Sequence, residues 1–314
     1  MLSRRSFLQI SAAGTAALSA GGFTSAADAS LNPAPFSAKL GWKIGPQIYS
    51  FNKFPFDEAV KKVQACNVNS FELYSGQKLS KDINVAVGPA LLKPENKDAL
   101  KRFKDLLAET GTHIHAIGVC PADRAHFDFA AAFGLSVLNA EPGFDKIAEV
   151  SKLADEYKIR VGLHNHPKPS IYWNPDIVLE HLKDASSRVG ACCDTGHWLR
   201  SGLCPIESLK KLKGKVVSFH IKDLKKTGEG KYDADCPLGQ GEVGIAALLK
   251  EAAAQKIHAP FSIEFEAAWN NNVPQVAESV QYFESIAKEL SSSGESAAKV
   301  RLKNFRSRLR KVLG

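Results

Sequence analysis

Eight short apolar runs recur along the chain: IGPQIYSF (44–51), VNSFELYSG (68–76), THIHAIGVC (112–120), LSVLNAEPG (135–143), IRVGLHNHP (159–167), RVGACCDTG (188–196), KVVSFHIKD (215–223) and FSIEFE (261–266). Their length and their β-branched and aromatic content predict strands. The segments between them change to helical spacing. Over 55–67, Phe56, Ala59, Val60 and Val63 share one face, and Asp57 and Glu58 occupy the first turn. Over 94–111, Leu100, Phe103, Leu106 and Leu107 line one side and Gly111 marks the stop. Further helices are predicted over 122–133, 144–157, 175–185, 205–212, 245–255 and 274–290, with a long loop at 224–243. Strand and helix alternate throughout. That order predicts an α/β protein, a (β/α)8 TIM barrel forming a single domain over 42–291, which matches the ~250 residues such a barrel uses. An open doubly wound sheet would need a Gly-rich phosphate turn after the first strand, and none follows IYSF. No nucleotide cofactor is therefore expected.

Side chains alternate along a strand, so the inward set follows from parity. Parity turns Glu72 and Tyr74 into the barrel on the second strand, His164 and His166 on the fifth, and Cys192 and Asp194 on the sixth. It does the same for Ser218, His220 and Lys222 on the seventh and Glu264 and Glu266 on the eighth, while Glu141 ends the fourth. The last members of each set should stand at the carboxyl rim, where barrel enzymes carry their sites. Carboxylates and imidazoles crowded there would repel one another and resist desolvation unless something compensates them. One divalent cation does so. Mixed Asp, His and Glu ligands suit Mn, Zn, Co or Fe better than Ca. The expected ligands are Asp194, His220 and Glu264, with Glu141 or His164 as a further one.

Composition adds room for a large core, since 44% of the 314 residues are hydrophobic. The net charge of +8 suggests a nucleic-acid partner until it is located. Residues 296–314 carry +7 of it and residues 1–29 carry +1, leaving 30–295 neutral overall. A neutral body argues against nucleic acid as partner. The tail 292–314 places Leu302, Phe305, Leu309 and Val312 at amphipathic spacing, suited to an anionic membrane surface or to another subunit of a homo-oligomer. At the other end, SRRSFL (3–8) precedes a mild apolar run and Ala27-Asp28-Ala29, the pattern of a twin-arginine signal peptide over 1–29. The expected location is periplasmic. Residues 30–41 read as an approach segment. The six cysteines form no CxxC pattern and no dense disulfide framework, so buried free thiols are expected.

Taken in order, HNHP, CDTGH, FHIKD, PLGQGEV and SIEFE closely resemble the xylose isomerase-like barrel superfamily, which includes proteins labelled sugar phosphate isomerase/epimerase. The resemblance covers about 42–290 and implies a small-molecule sugar as substrate. In the superfamily's epimerases the metal ligands are Glu, Asp, His and Glu at the ends of strands five to eight. The Asp falls on Asp194, the His on His220 and the final Glu on Glu264, but the strand-five Glu falls on His164. His197 matches a substrate-side histidine and Lys222 a common lysine beside the metal histidine. Export favours a free sugar or keto-sugar over a phosphorylated one. The implied chemistry is isomerisation or epimerisation through an enediolate, with a carboxylate or imidazole taking the proton. Glu141, His166 and Glu266 are the candidate proton-transfer groups, and His197 and Lys222, with Glu72, the candidate substrate contacts. The missing strand-five Glu also opens a one-sided reaction, a lyase or hydrolase acting on keto-glycosides or cyclic polyols.

Overall fold

The computed structural model describes residues 34–292. The expected signal peptide, and the basic tail past residue 292, lie outside the described residues. The barrel strands are β1 (Lys43–Pro46), β2 (Ser70–Leu73), β3 (His113–Ile117), β4 (Val137–Ala140), β5 (Arg160–His164), β6 (Val189–Asp194), β7 (Val216–Ile221) and β10 (Pro260–Ile263). All pair in parallel, in the order β1-β10-β7-β6-β5-β4-β3-β2. A parallel bridge between Gln47 and Glu72 brings β2 back to β1, so the ring is nearly closed. A Cβ on Gly45 would lie 1.7 Å from the Ser70 carbonyl oxygen, so only glycine lets the two strands approach so closely.

Helices α1 (Pro35–Lys39), α2 (Phe56–Ala65), α3 (Lys97–Thr110), α4 (Arg124–Ala132), α5 (Ile147–Tyr157), α6 (Pro175–His181), α7 (Thr195–Arg200), α8 (Pro205–Lys211) and α9 (Ile245–Ala254) follow in chain order. A last helix, α10, runs over 273–292. The apolar faces read from spacing are the buried ones. Phe56, Ala59, Val60 and Val63 of α2 are all inaccessible. Gly111 closes α3 in the left-handed conformation at φ 59°. The outward sides of the strands pack under the helices. Phe219 and Phe261 stack with centroids 4.3 Å apart, and Trp42 lies 4.9 Å from Phe261. Each such side chain stabilises the fold by roughly 1.5–3 kcal/mol.

Besides α7, which starts at Thr195 where a strand was expected to run on to Gly196, three elements differ from expectation. IGPQIYSF is a strand only to Pro46. Proline offers no N–H to a ladder, and the Gln47 side chain then accepts from Tyr49 N at 3.0 Å, starting a 3-10 turn over Ile48–Phe51. The approach segment carries α1, whose first N–H groups at Phe36 and Ser37 donate to Glu284 at 3.0 and 2.9 Å. The long loop after β7 is ordered. It forms an antiparallel hairpin, β8 (Asp223–Lys225) with β9 (Ala234–Cys236). Asp223 then accepts from the backbone N–H of Leu224, Gly239, Gly241 and Val243 at 2.9–3.1 Å, which folds PLGQGEV around one carboxylate. A Cβ on Gly241 would meet Asp223 Oδ1 at 2.3 Å.

Candidate metal centre at the barrel rim

Four adjacent strands, β5, β6, β7 and β10, bring His164, Asp194, His220 and Glu264 together at the carboxyl rim. One ligand-capable atom from each lies within 4.8 Å of the others, and all four residues are buried. Parity put these four inward, and the structure agrees. Strand register does the work, since His164 pairs with Cys192 and Asp194 with His220 in neighbouring strands.

Each histidine is fixed from behind by a carboxylate. His220 Nε2–H donates to Glu72 Oε1 at 3.0 Å, which turns Nδ1 toward the cluster. His164 Nδ1–H donates to Glu141 Oε1 at 2.8 Å, which turns Nε2 toward it. This carboxylate–histidine arrangement is how metal-binding imidazoles are oriented. The fit to a cation rests on buried atoms that make no hydrogen bond, His164 Nε2, His220 Nδ1 and Glu264 Oε2. Glu264 Oε2 and His220 Nδ1 lie 2.9 Å apart without hydrogen-bond alignment, and Asp194 Oδ2 lies 3.5 Å from His164 Nε2. The Lys222 ammonium, 2.9 Å from both carboxylates, balances one of their two charges, and it offers nothing to the imidazole lone pairs of His164 and His220 that a divalent ion would take. The residues present therefore fit one divalent ion.

Lys222 is the resident positive charge. Its Nζ lies 2.9 Å from Asp194 Oδ2, 2.9 Å from Glu264 Oε2 and 2.6 Å from Glu266 Oε1. Burial would discharge Lys222, but these carboxylates raise its pKa well above the ordinary lysine value. Burial discharges His197 in the same way, and there it prevails: the imidazole is held well below its usual range. His197 lies on α7, which starts directly after Asp194. The Asp194 carboxylate accepts from His197 N at 2.8 Å and so caps the helix.

Three sequence-predicted positions lie outside the buried four. Glu72 is inaccessible, so it does not face substrate. It lies behind His220 and also accepts from Asn139 Nδ2 at 2.9 Å and Ser262 Oγ at 2.5 Å. Glu141 is not in the buried four but forms a second possible ligand group with His164 and His166. Its Oε1 accepts from both His164 and His166, and against the cost of burial these bonds pull its pKa down to about 2. His166 stands at the rim above the cluster, its ring 4.7 Å from that of His164 and 5.1 Å from that of His197. The strand ends at His164, so alternation no longer applies, and the His166 side chain is 49% exposed beside Glu141. That bond, against partial burial, raises the His166 pKa above the ordinary imidazole value. Glu266 stands past β10, partly exposed, against Lys222.

Other positioning groups escaped the sequence reading. Asn165 accepts from Asp194 N at 2.8 Å and donates to Asp194 O at 2.9 Å, tying the ends of β5 and β6. It sits between two histidines in HNHP, and parity alone would turn it away from the site. Asp235 of β9 accepts from Arg200 Nη2 at 2.5 Å and from Glu266 N at 2.7 Å, and Arg200 Nη1 lies 3.2 Å from His197 Nδ1. One buried carboxylate on the hairpin thus braces two rim residues. No spacing in the sequence marks it. All six cysteines are free.

The parallel barrel with a buried His/Asp/His/Glu cluster at the ends of adjacent strands is that of a TIM barrel with a candidate metal centre at its carboxyl rim. The chain belongs to the xylose isomerase-like TIM barrel family, whose model matches residues 60–286. A search of curated proteins finds no match. Among solved structures, an uncharacterized protein from Parabacteroides distasonis is 25% identical, with a TM-score of 0.61 over 78% of this chain and 99% of its own. A D-tagatose 3-epimerase-like protein is 18% identical, with a TM-score of 0.61 over 80% of this chain and 99% of its own. A xylose isomerase-like TIM barrel protein from Mycobacterium smegmatis, solved in complex with magnesium, is 17% identical, with a TM-score of 0.61 over 77% of this chain and 92% of its own.

Proposed function

We propose that this protein is a divalent-metal-dependent isomerase or epimerase that acts through an enediolate on a free sugar or keto-sugar. The observation that carries this reading is the convergence of two buried imidazole nitrogens without hydrogen bonds, His164 Nε2 and His220 Nδ1, on the carboxylates of Asp194 and Glu264. These four residues would hold the ion, with Glu72 and Glu141 orienting the two imidazoles. A bound dication supplies Lewis acidity, polarising a hydroxy-carbonyl pair and acidifying the neighbouring C–H. Lys222 Nζ and the His197 imidazole border the cluster and serve as donors to the oxygen on which charge develops. Proton transfer falls to the partly exposed groups. His166 stands beyond β5 with Glu141 holding its ring, and Glu266 stands beyond β10. Strands β6 and β7 lie between those two, so the pair flanks the cluster from opposite sides. The substrate is a free sugar if the twin-arginine motif directs the chain to the periplasm.

A second reading, a lyase or hydrolase acting on keto-glycosides or cyclic polyols, is favoured by one observation. The strand-five position holds His164, and the nearest replacement carboxylate, Glu141, is bound to two histidines. That leaves an imidazole and a carboxylate, unlike groups suited to a base on one side and an acid on the other. Incubation in D₂O with keto-sugars and keto-glycosides, with and without chelator, separates the two. Isomerisation or epimerisation returns a sugar of the same formula carrying solvent deuterium. Elimination releases water or an aglycone. No metal-dependent turnover on either panel would sink both.

A further inference from the structure

Two loops beside the cluster leave a groove that the reaction above does not use. The loops following β1 and β2 enclose about 630 Å³ at the same carboxyl rim, within the range of ligand pockets. Tyr49, Tyr74, Gln77, Lys53 and Lys78 line it. The groove joins the site through Tyr49. Its ring meets Tyr74 edge-on at 4.8 Å and Trp269 at 6.1 Å, and Trp269 follows Glu266 by three residues. Burial and the nearby charges of Glu266 and Glu264 raise the Tyr49 pKa, which places the phenol within electrostatic reach of both.

Two features of the groove ask for a ligand. Gln77 is 5% exposed, and its Nε2 is fully engaged, donating to the carbonyls of Phe54 at 2.7 Å and Phe51 at 3.3 Å. Its Oε1 is buried and makes no hydrogen bond. A buried carbonyl oxygen left without a donor is costly, and a ligand hydroxyl would supply the donor. The second feature is charge. Lys81, at the groove's edge, is paired with Glu58 at 2.8 Å, but Lys53 and Lys78 are exposed and make no ion pair among the described residues. Because residues 30–295 are neutral overall, two free ammonium groups in one groove are a local feature and not part of a basic surface.

We propose that this groove is a subsite for a second, carboxylate-bearing sugar ring of the substrate, so that the protein takes acidic glycosides in preference to monosaccharides. The inference rests on the sugar chemistry proposed for the rim. The tyrosine faces suit the C–H face of a pyranose, Gln77 Oε1 accepts from one of its hydroxyls, and Lys53 and Lys78 meet the carboxylate. The test is titration calorimetry on the full-length, metal-loaded protein, comparing a glucuronosyl-glucose disaccharide with cellobiose. The acidic disaccharide should bind at least about tenfold more tightly, and the gap should narrow in high salt. The double variant Lys53→Ala/Lys78→Ala, changed only at exposed positions, should lose about tenfold for the acidic probe at an unchanged Tm. Equal affinity for the two probes, no binding of either, or an unaffected double variant overturns the subsite. Calorimetry reads binding without turnover, so binding of this kind in a protein that converts no sugar would remove the proposed reaction and leave the subsite standing.

Discussion

The two halves of the barrel use their inward positions differently. The polar network anchored on β2, β3 and β4, which draws in Ser218 of β7 and Ser262 of β10, is satisfied. Ser70 O–H donates to His115 Nδ1 at 2.6 Å, His115 Nε2–H donates to Ser262 Oγ at 3.0 Å, and Ser262 O–H donates to Glu72 at 2.5 Å. Asn139 joins Glu72 to Ser218, which donates to Asn139 Oδ1 at 2.5 Å. Burial keeps His115 neutral, its pKa pushed down to about 3, which lets one ring nitrogen accept and the other donate. In the half built by β5, β6, β7 and β10, three buried polar atoms have no hydrogen-bond partner. A satisfied ladder holds a geometry; an unsatisfied cluster above it has donor atoms left to offer a ligand. Glu72 connects the halves, ending the ladder and orienting His220.

The contrast breaks most sharply at Asp194. Asp194→Asn should strip the bound cation and lower kcat by about 10²–10³ or more, measured by metal content and turnover together. If turnover and metal both survive, the two halves do not differ in the way argued. Next come the carboxylates behind the imidazoles. Glu72→Gln and Glu141→Gln should each weaken metal affinity by about 10–100-fold, read by competition with a chelating dye. Glu72→Gln should have the larger effect, since Glu72 is fully buried and Glu141 is not. An equal effect from both would mean that the ladder adds nothing. Asp235→Asn should lower kcat by about tenfold with metal content unchanged, because it loosens Arg200 and the Glu266 backbone without touching the cluster. A loss of metal would place the hairpin in a different role. The smallest change lies far from the rim. Gly111→Ala forces a side chain into the left-handed region and should cost about 1–2 kcal/mol by denaturant unfolding, with turnover per folded molecule intact.

The same division decides what the sequence alone revealed. The barrel was legible because each strand run is short and apolar and each helix has a one-sided face, as α2 and α3 illustrate. The cluster was legible because its four residues stand at strand ends, where a period of two fixes direction. Parity gave the neighbourhood of His166, beside His164 and His197, but not its exposure, because β5 stops two residues earlier and the period stops with it. Glu72 was read with the correct facing and the wrong height, since parity says which way a side chain turns but not how far below the rim it lies. The choice between Glu141 and His164 needed geometry, because a residue behind an imidazole and one in front of it look alike in a string. Asp235 and Asn165 were not legible at all. They act through backbone N–H groups and side chains distant in sequence, which leave no periodic trace.

The most direct test is elemental analysis of the purified full-length protein beside its Asp194→Ala and His220→Ala variants. About one Mn, Zn, Co or Fe per chain in the parent, and little or none in either variant, is the predicted result. A parent that turns over sugar with no bound cation, or variants that keep theirs, would contradict the account.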